Sequence, residues 1–249
     1  MEKIIKNEGY LYTIDTSMLD KNAVITPAGY QRMIITTTEK ELKRLNMEIA
    51  TLIKEMGVSW VLLSLSVKIL KQILPGQELI IKTHHTWQKG VIYRRDFEIL
   101  DKANGFTIAY AATFSSLFDI EKRRICTDRA VYEKISLPES VEMFEAESRH
   151  AVKGEFDFCE EVSARPSWID SLGHVNNFKY GELCYDNIPS EYLDKMNKLN
   201  RLEMFFTGEL RLNDKVKILT RECDGYLEIC GEHSVQEKSA FLTRMKFDD

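Results

Sequence analysis

The sequence predicts an α+β protein of two successive units, each an antiparallel sheet laid on one long helix. Three observations point to it. A charge-studded helical segment over 27–56 gives way at Gly57 to a β-branched, apolar run, the turn pairs Pro75-Gly76 and Asn104-Gly105 separate further such runs, and the same helix-then-strands order returns after residue 154.

In chain order, the first unit reads as a helix from about Pro27 to Met56, then strands over Val58–Ile69, Glu78–Thr83, Tyr93–Leu100 and Phe106–Phe118. The second reads as a helix from about His174 to Asn187, then strands over Arg201–Thr207, Val216–Glu222, Tyr226–Ser234 and Ala240–Phe247, with a turn at Asn213-Asp214. Laying Pro75–Thr83 over Leu212–Thr220 aligns turn, strand and final threonine, the mark of an internal duplication. Between the units, 119–154 is charged and irregular, headed by Glu121-Lys122-Arg123-Arg124 and carrying Pro138. We therefore divide the chain into 1–125, a linker over 126–154, and 155–249.

With 249 residues, 44% of them hydrophobic and 29% charged, the chain has material for a substantial core. A net charge of -5 argues against a phosphate-binding surface, so nucleic acid is not an expected partner. Cysteines 126, 159, 184, 223 and 230 form no C-x-x-C pair, and an odd, scattered set fits a reducing cytosol better than a disulfide framework or a zinc site. Met1–Glu8 lacks the apolar core of a signal peptide, and no run approaches the roughly 18 apolar residues of a membrane span. The expected location is the cytoplasm. A homodimer is compatible with this reading.

The densest chemistry lies in Trp168-Ile169-Asp170-Ser171-Leu172-Gly173-His174-Val175-Asn176-Asn177, where an acid, an imidazole and two amides surround one glycine at the mouth of a helix. A helix start presents unpaired N–H groups that suit an oxyanion, while Asp170 and His174 can handle protons near neutral pH. The plainer alternative is a helix cap: Asp before a helix and Asn-Asn in its first turn are ordinary. Asn176 and Asn177 can equally fix the loop or contact a substrate arm. A sheet wrapped on a helix, twice in one chain, is the tandem (double) hotdog arrangement, and two copies reproduce a dimer of single-copy subunits. Apolar residues between helix and sheet can line an acyl slot or simply pack.

On these residues the chain resembles the acyl-acyl-carrier-protein thioesterases over nearly its whole length. In the first half the likeness rests on Gly57-Val58-Ser59-Trp60-Val61-Leu62, Pro75-Gly76, Thr83, Arg95-Asp96-Phe97, Phe118-Asp119 and Arg123-Arg124; in the second, on Asp170, His174, Val175, Asn176, Asn177, Lys179 and Tyr180, then Gly208-Glu209-Leu210. The resemblance implies hydrolysis of fatty acyl thioesters of acyl carrier protein in fatty acid biosynthesis, with Asp170, His174 and Glu209 catalytic and no metal or organic cofactor. It also implies a basic docking surface for an acidic carrier, for which Arg94-Arg95 and Lys122-Arg123-Arg124 are the available clusters.

Three positions depart from the family pattern: Leu172 replaces an Asn, Leu210 a Cys, and Ser116-Leu117 stands where many relatives carry a Trp. No thiol is available at the position after Glu209, so a Cys–His mechanism has no nucleophile there. The first unit has Val24 where the imidazole would stand and Gln72 opposite Glu209, which marks it as the acyl-binding half. Two other readings stay open: an acyl-CoA thioesterase, since Asp-x-x-Gly-His-Val-Asn-Asn also resembles single-copy hotdog enzymes, and a non-catalytic acyl-binding module. The hydrolytic reading requires residues 170, 174 and 209 to converge on one carbonyl carbon.

Overall fold

The computed structural model describes residues 9–135 and 137–248; Met1–Glu8, the stretch without a signal-peptide core, lies outside the described residues. The first half runs β1 (Tyr10–Thr13), α1 (Pro27–Arg44), α2 (Ile49–Met56), β2 (Val58–Ile69), β3 (Glu78–Lys89), β4 (Ile92–Asp101), β5 (Thr107–Asp119) and β6 (Arg124–Ile125). After α3 (Arg129–Lys134) come β7 (Asp157–Ser163), α4 (Asn177–Asp186), α5 (Ser190–Leu193), β8 (Leu199–Phe206), β9 (Lys215–Cys223), β10 (Tyr226–His233) and β11 (Lys238–Phe247).

This is the double hotdog, and its two expected sheets are fused edge to edge. A single antiparallel sheet has the strand order β1-β3-β4-β5-β2-β8-β11-β10-β9-β7, with β6 on β5. The seam is the β2–β8 pairing, from Ser64 opposite Phe205 to Lys68 opposite Arg201. Edge strands β1 and β7 are not among the strands expected from sequence. Strand β7 is exposed along nearly its whole length, so Asp157-Phe158-Cys159-Glu160-Glu161-Val162-Ser163 carries no alternating apolar signal.

Helix α1 starts with the Thr26 hydroxyl accepting from the Gly29 N–H (3.1 Å) and Pro27 in its first turn. Tyr30, Met33, Ile34, Thr37 and Glu41, at three- and four-residue spacing, form its buried face. The single helix expected over 27–56 is in fact two. Asn46 takes a left-handed φ of 56°, ending α1, and α2 then runs until Gly57, at φ 67°, closes it with an N–H to the Ile53 carbonyl. One apolar core spans both halves: Met33, Ile34, Leu65, Phe97 and Ile99 are continuous with Tyr180, Leu183, Met204, Ile229 and Phe241. Helices α1 and α4 pack against each other. At their crossing a Cβ on Gly181 would come 2.8 Å from the Ala28 Cα, so only glycine admits this approach.

The outer face of the sheet carries charges in register. Across β8, β11, β10 and β9, Arg201 pairs with Glu203 (2.9 Å), Glu203 with Arg244 (3.0 Å), Arg244 with Glu228 (2.8 Å), and Glu228 with Arg221 (2.6 Å). The segment between the halves lies across this face as a strap. Its Phe144 carbonyl accepts from Arg94 (2.6 Å), its Glu145 carbonyl from Arg201 (2.5 Å), its Glu147 carbonyl from the Ser64 hydroxyl (2.8 Å), and its Lys153 carbonyl from Arg221. These bonds give the strap carbonyls donors from the sheet's outer face, the buried Arg94 among them.

Candidate active site

The 170–174 segment is a tight turn built by one carboxylate. Asp170 Oδ1 accepts from the Leu172 N–H (2.8 Å) and, more weakly, the His174 N–H (3.4 Å), while the Asp170 N–H donates to the His174 carbonyl (2.9 Å). Gly173, at φ 83°, makes the reversal without strain. The first half contains the same turn: Asp20 Oδ1 accepts from Asn22 (2.8 Å) and Val24 (2.9 Å), and the Asp20 N–H donates to the Val24 carbonyl (2.8 Å).

A backbone bond just past the turn sets the register of the site. The Val175 N–H donates to the Leu210 carbonyl at 2.7 Å, so residues 174 and 209 become neighbours although distant in sequence. Glu209 Oε2 then lies 3.0 Å from His174 Nε2, within ion-pairing distance. Leu210, next along the chain, turns into the apolar core. The position where the resemblance places a cysteine therefore faces the interior. The pair opens to solvent, with His174 23% and Glu209 44% exposed.

Asn176 caps α4: its Oδ1 accepts from the Phe178 N–H at 3.0 Å. Asn177 is the first residue of the helix and half-buried. Tyr180 stacks on Phe241 at 4.9 Å between centroids, and its hydroxyl meets the Leu210 backbone. Leu172 projects from the turn, 48% exposed, and offers the site no polar group. Cys184 is fully buried, its thiol pushed up to about 12 by burial, and is no nucleophile.

Arg94 and Arg95 require correction, for neither is a surface cation. Arg94 is buried and paired with Asp96 (2.7 Å) and Glu142 (2.9 Å). Arg95 is buried beside His85 and Thr83, donating to the Thr83 hydroxyl at 3.3 Å. Adjacent strand residues point to opposite faces, so one serves the strap and the other the interior. Lys122, Arg123 and Arg124, by contrast, are exposed. Arg123 reaches across from the first half to within 3.8 Å of Glu209 Oε2, a contact invisible to local pattern. In the first half, Gln72 donates to the Leu199 carbonyl (2.9 Å) and Val24 replaces the imidazole, so the repeated turn carries no acid–imidazole pair there.

Comparison with known proteins fits this geometry. The family model described as the acyl-ACP thioesterase N-terminal domain matches residues 8–134, and that described as the C-terminal domain matches 153–247. No curated protein matches the chain. Among solved structures, an acyl-ACP thioesterase from Bacteroides thetaiotaomicron superposes with a TM-score of 0.82 at 21% identity, over 96% of each chain. A 12:0-ACP thioesterase from Umbellularia californica superposes with a TM-score of 0.80 at 14% identity, again over 96% of each chain.

Proposed function

The chain belongs to the acyl-ACP thioesterase family, and from that premise we propose that Glu209 and His174 are its hydrolytic pair, with Asp170 holding the turn that presents them. It hydrolyses fatty acyl-acyl-carrier-protein thioesters to free fatty acid and the carrier's thiol. The observation that carries the assignment is the 3.0 Å contact between His174 Nε2 and Glu209 Oε2 at the mouth of α4.

In this reading Glu209 takes a proton from water as the water oxygen bonds to the carbonyl carbon. Electrons move onto the carbonyl oxygen, which the Asn177 N–H at the start of α4 receives. The tetrahedral intermediate collapses, the carbon–sulfur bond breaks, and His174 relays the proton from Glu209 to the departing thiolate. Asp170 is a positioning residue, because Asp20 makes the same turn in a half that has no imidazole. Asn176 acts as the cap and Asn177 faces the substrate arm. The carrier, being acidic, docks on Lys122, Arg123 and Arg124 beside the pair. Among the described residues no helix is long and apolar enough to cross a membrane, and the five free cysteines suit a reducing cytosol, where we place the enzyme.

Steady-state hydrolysis of acyl-carrier-protein substrates tests the assignment. Glu209→Gln and His174→Ala should each lower kcat by roughly 10²–10⁴. Asp170→Asn keeps an oxygen for the same two N–H groups and should stay within about tenfold of wild type. A loss in Asp170→Asn equal to that in Glu209→Gln would transfer the base to Asp170. Release of no free thiol from any chain length would leave a binding module.

A further inference from the structure

Several buried side-chain polar atoms among the described residues lack a hydrogen-bond partner, and Gln31 is the one side chain that contributes two of them. Gln31, on α1, is 0% exposed, and neither its Oε1 nor its Nε2 has a hydrogen-bond partner. A buried amide without partners is costly, and native proteins seldom keep one without a use. Its location suggests that use. Gln31 Oε1 lies 2.8 Å from where a Cβ on Gly181 would stand, so the amide rests on α4 at the helix crossing. Gly181 is four residues after Asn177 and shares its helix face, which puts the amide about 6 Å, one helical turn, inside the start of α4. Arg32 over the Phe178 ring, 5.9 Å from its centroid, confirms that this part of α1 faces the first turn of α4.

Asp170 is engaged with backbone N–H groups, Asn176 Oδ1 caps the helix, and Leu172 is hydrocarbon. We propose that Gln31, contributed by the half that lacks an acid–imidazole pair, completes the hydrolytic site: its Nε2–H donates to the thioester carbonyl oxygen and its Oε1 accepts from the attacking water. The two atoms of one amide match the acceptor and the donor that must be brought together. The inference rests on the reading of His174 and Glu209 as the hydrolytic pair. Gln31 adds no covalent step; it holds the water against the carbonyl and takes part of the oxyanion charge as the carbon–oxygen bond forms.

Gln31→Met keeps the length and removes the amide. Its kcat on acyl-carrier-protein substrates should fall roughly 30- to 1000-fold, with KM within threefold, as for loss of one oxyanion donor. Its melting temperature should equal or exceed that of wild type, because an unsatisfied buried amide has been exchanged for hydrocarbon. Gln31→Asn, which draws the amide back by one methylene, should lose kcat similarly and serves if the methionine variant does not fold. A non-hydrolysable ketone analogue of the thioester should bind wild type at least tenfold better than the matching thioether, a preference that both variants lose. Wild-type kcat in either folded variant overturns the inference, as does a fall in melting temperature that tracks the fall in activity. Full activity in Gln31→Met with a dead His174→Ala would sink this role alone, whereas an active His174→Ala would sink the reading beneath it.

Discussion

Asp20 and Asp170 build the same turn in different chemical company, one leading to Val24 and the other to His174. In the proposed mechanism the chemistry resides in what the turn delivers, and the carboxylate that makes the turn positions it. Burial acts on another histidine in the opposite sense to activation. His85, under Tyr93 and beside Arg95, is lowered from 6.5 to about 4, first by desolvation and then by the neighbouring guanidinium. The folded protein keeps this ring neutral between those values while the unfolded chain protonates it. Its contribution to stability is therefore full above about pH 6.5 and is lost as pH falls toward 4, amounting to at most roughly 3 kcal/mol. Melting temperatures measured from pH 4 to 7 should fall less steeply with acid in His85→Gln than in wild type; parallel curves would refute this. At this scale the approach of His174 to Glu209 was legible, because the family resemblance marks both positions. Arg94 and Arg95 were not, since two cations in sequence look alike whichever face of a strand each occupies.

Between elements, the decisive contacts are few and made by backbone. One bond from Val175 to Leu210 fixes the register that joins imidazole to carboxylate, and one glycine sets how close α1 and α4 come. Gly181→Ala would ordinarily favour a helix by about 1 kcal/mol. Here its Cβ would sit 2.8 Å from a backbone atom of Ala28, so the helices must separate. We expect a net loss of roughly 1–3 kcal/mol, a melting temperature lower by about 2–10 °C; an unchanged or higher value would show that the crossing yields. Strands with a buried face were visible as apolar alternation, and the turns as Pro-Gly, Asn-Gly and Asn-Asp. The break at Asn46 was not, because Leu45-Asn46-Met47 sits among helix formers and only the left-handed φ ends α1. The strap was unreadable for a different reason: its carbonyls, which every sequence has, make the bonds.

The described residues form one sheet with a main core common to both halves, and the candidate site likewise belongs to both. Arg123 of the first half comes within 3.8 Å of Glu209 of the second, on a turn that also carries Lys122 and Arg124. The double variant Lys122→Glu/Arg124→Glu should raise KM for acyl carrier protein about tenfold or more at low salt, with the difference shrinking as salt rises. Hydrolysis of a small N-acetylcysteamine thioester should be unchanged, and an equal loss on both substrates would exclude docking as the cause. The tandem architecture was legible from the repeated order of elements, whereas fusion into a single sheet was not, because β2 and β8 read as ordinary strands whether or not they pair.

The crossing of α1 and α4 places Gln31 against Gly181, and both stand at the fifth position of their helices, counting Pro27 and Asn177 as the first. In a symmetric pair of identical chains those positions would necessarily bear the same side chain: two glutamines would collide, and two glycines would bring no amide. Covalent linkage of the copies lifts that constraint, leaving one lineage of the repeat free to shed its imidazole and grow an amide while the other thins to a bare Cα to receive it.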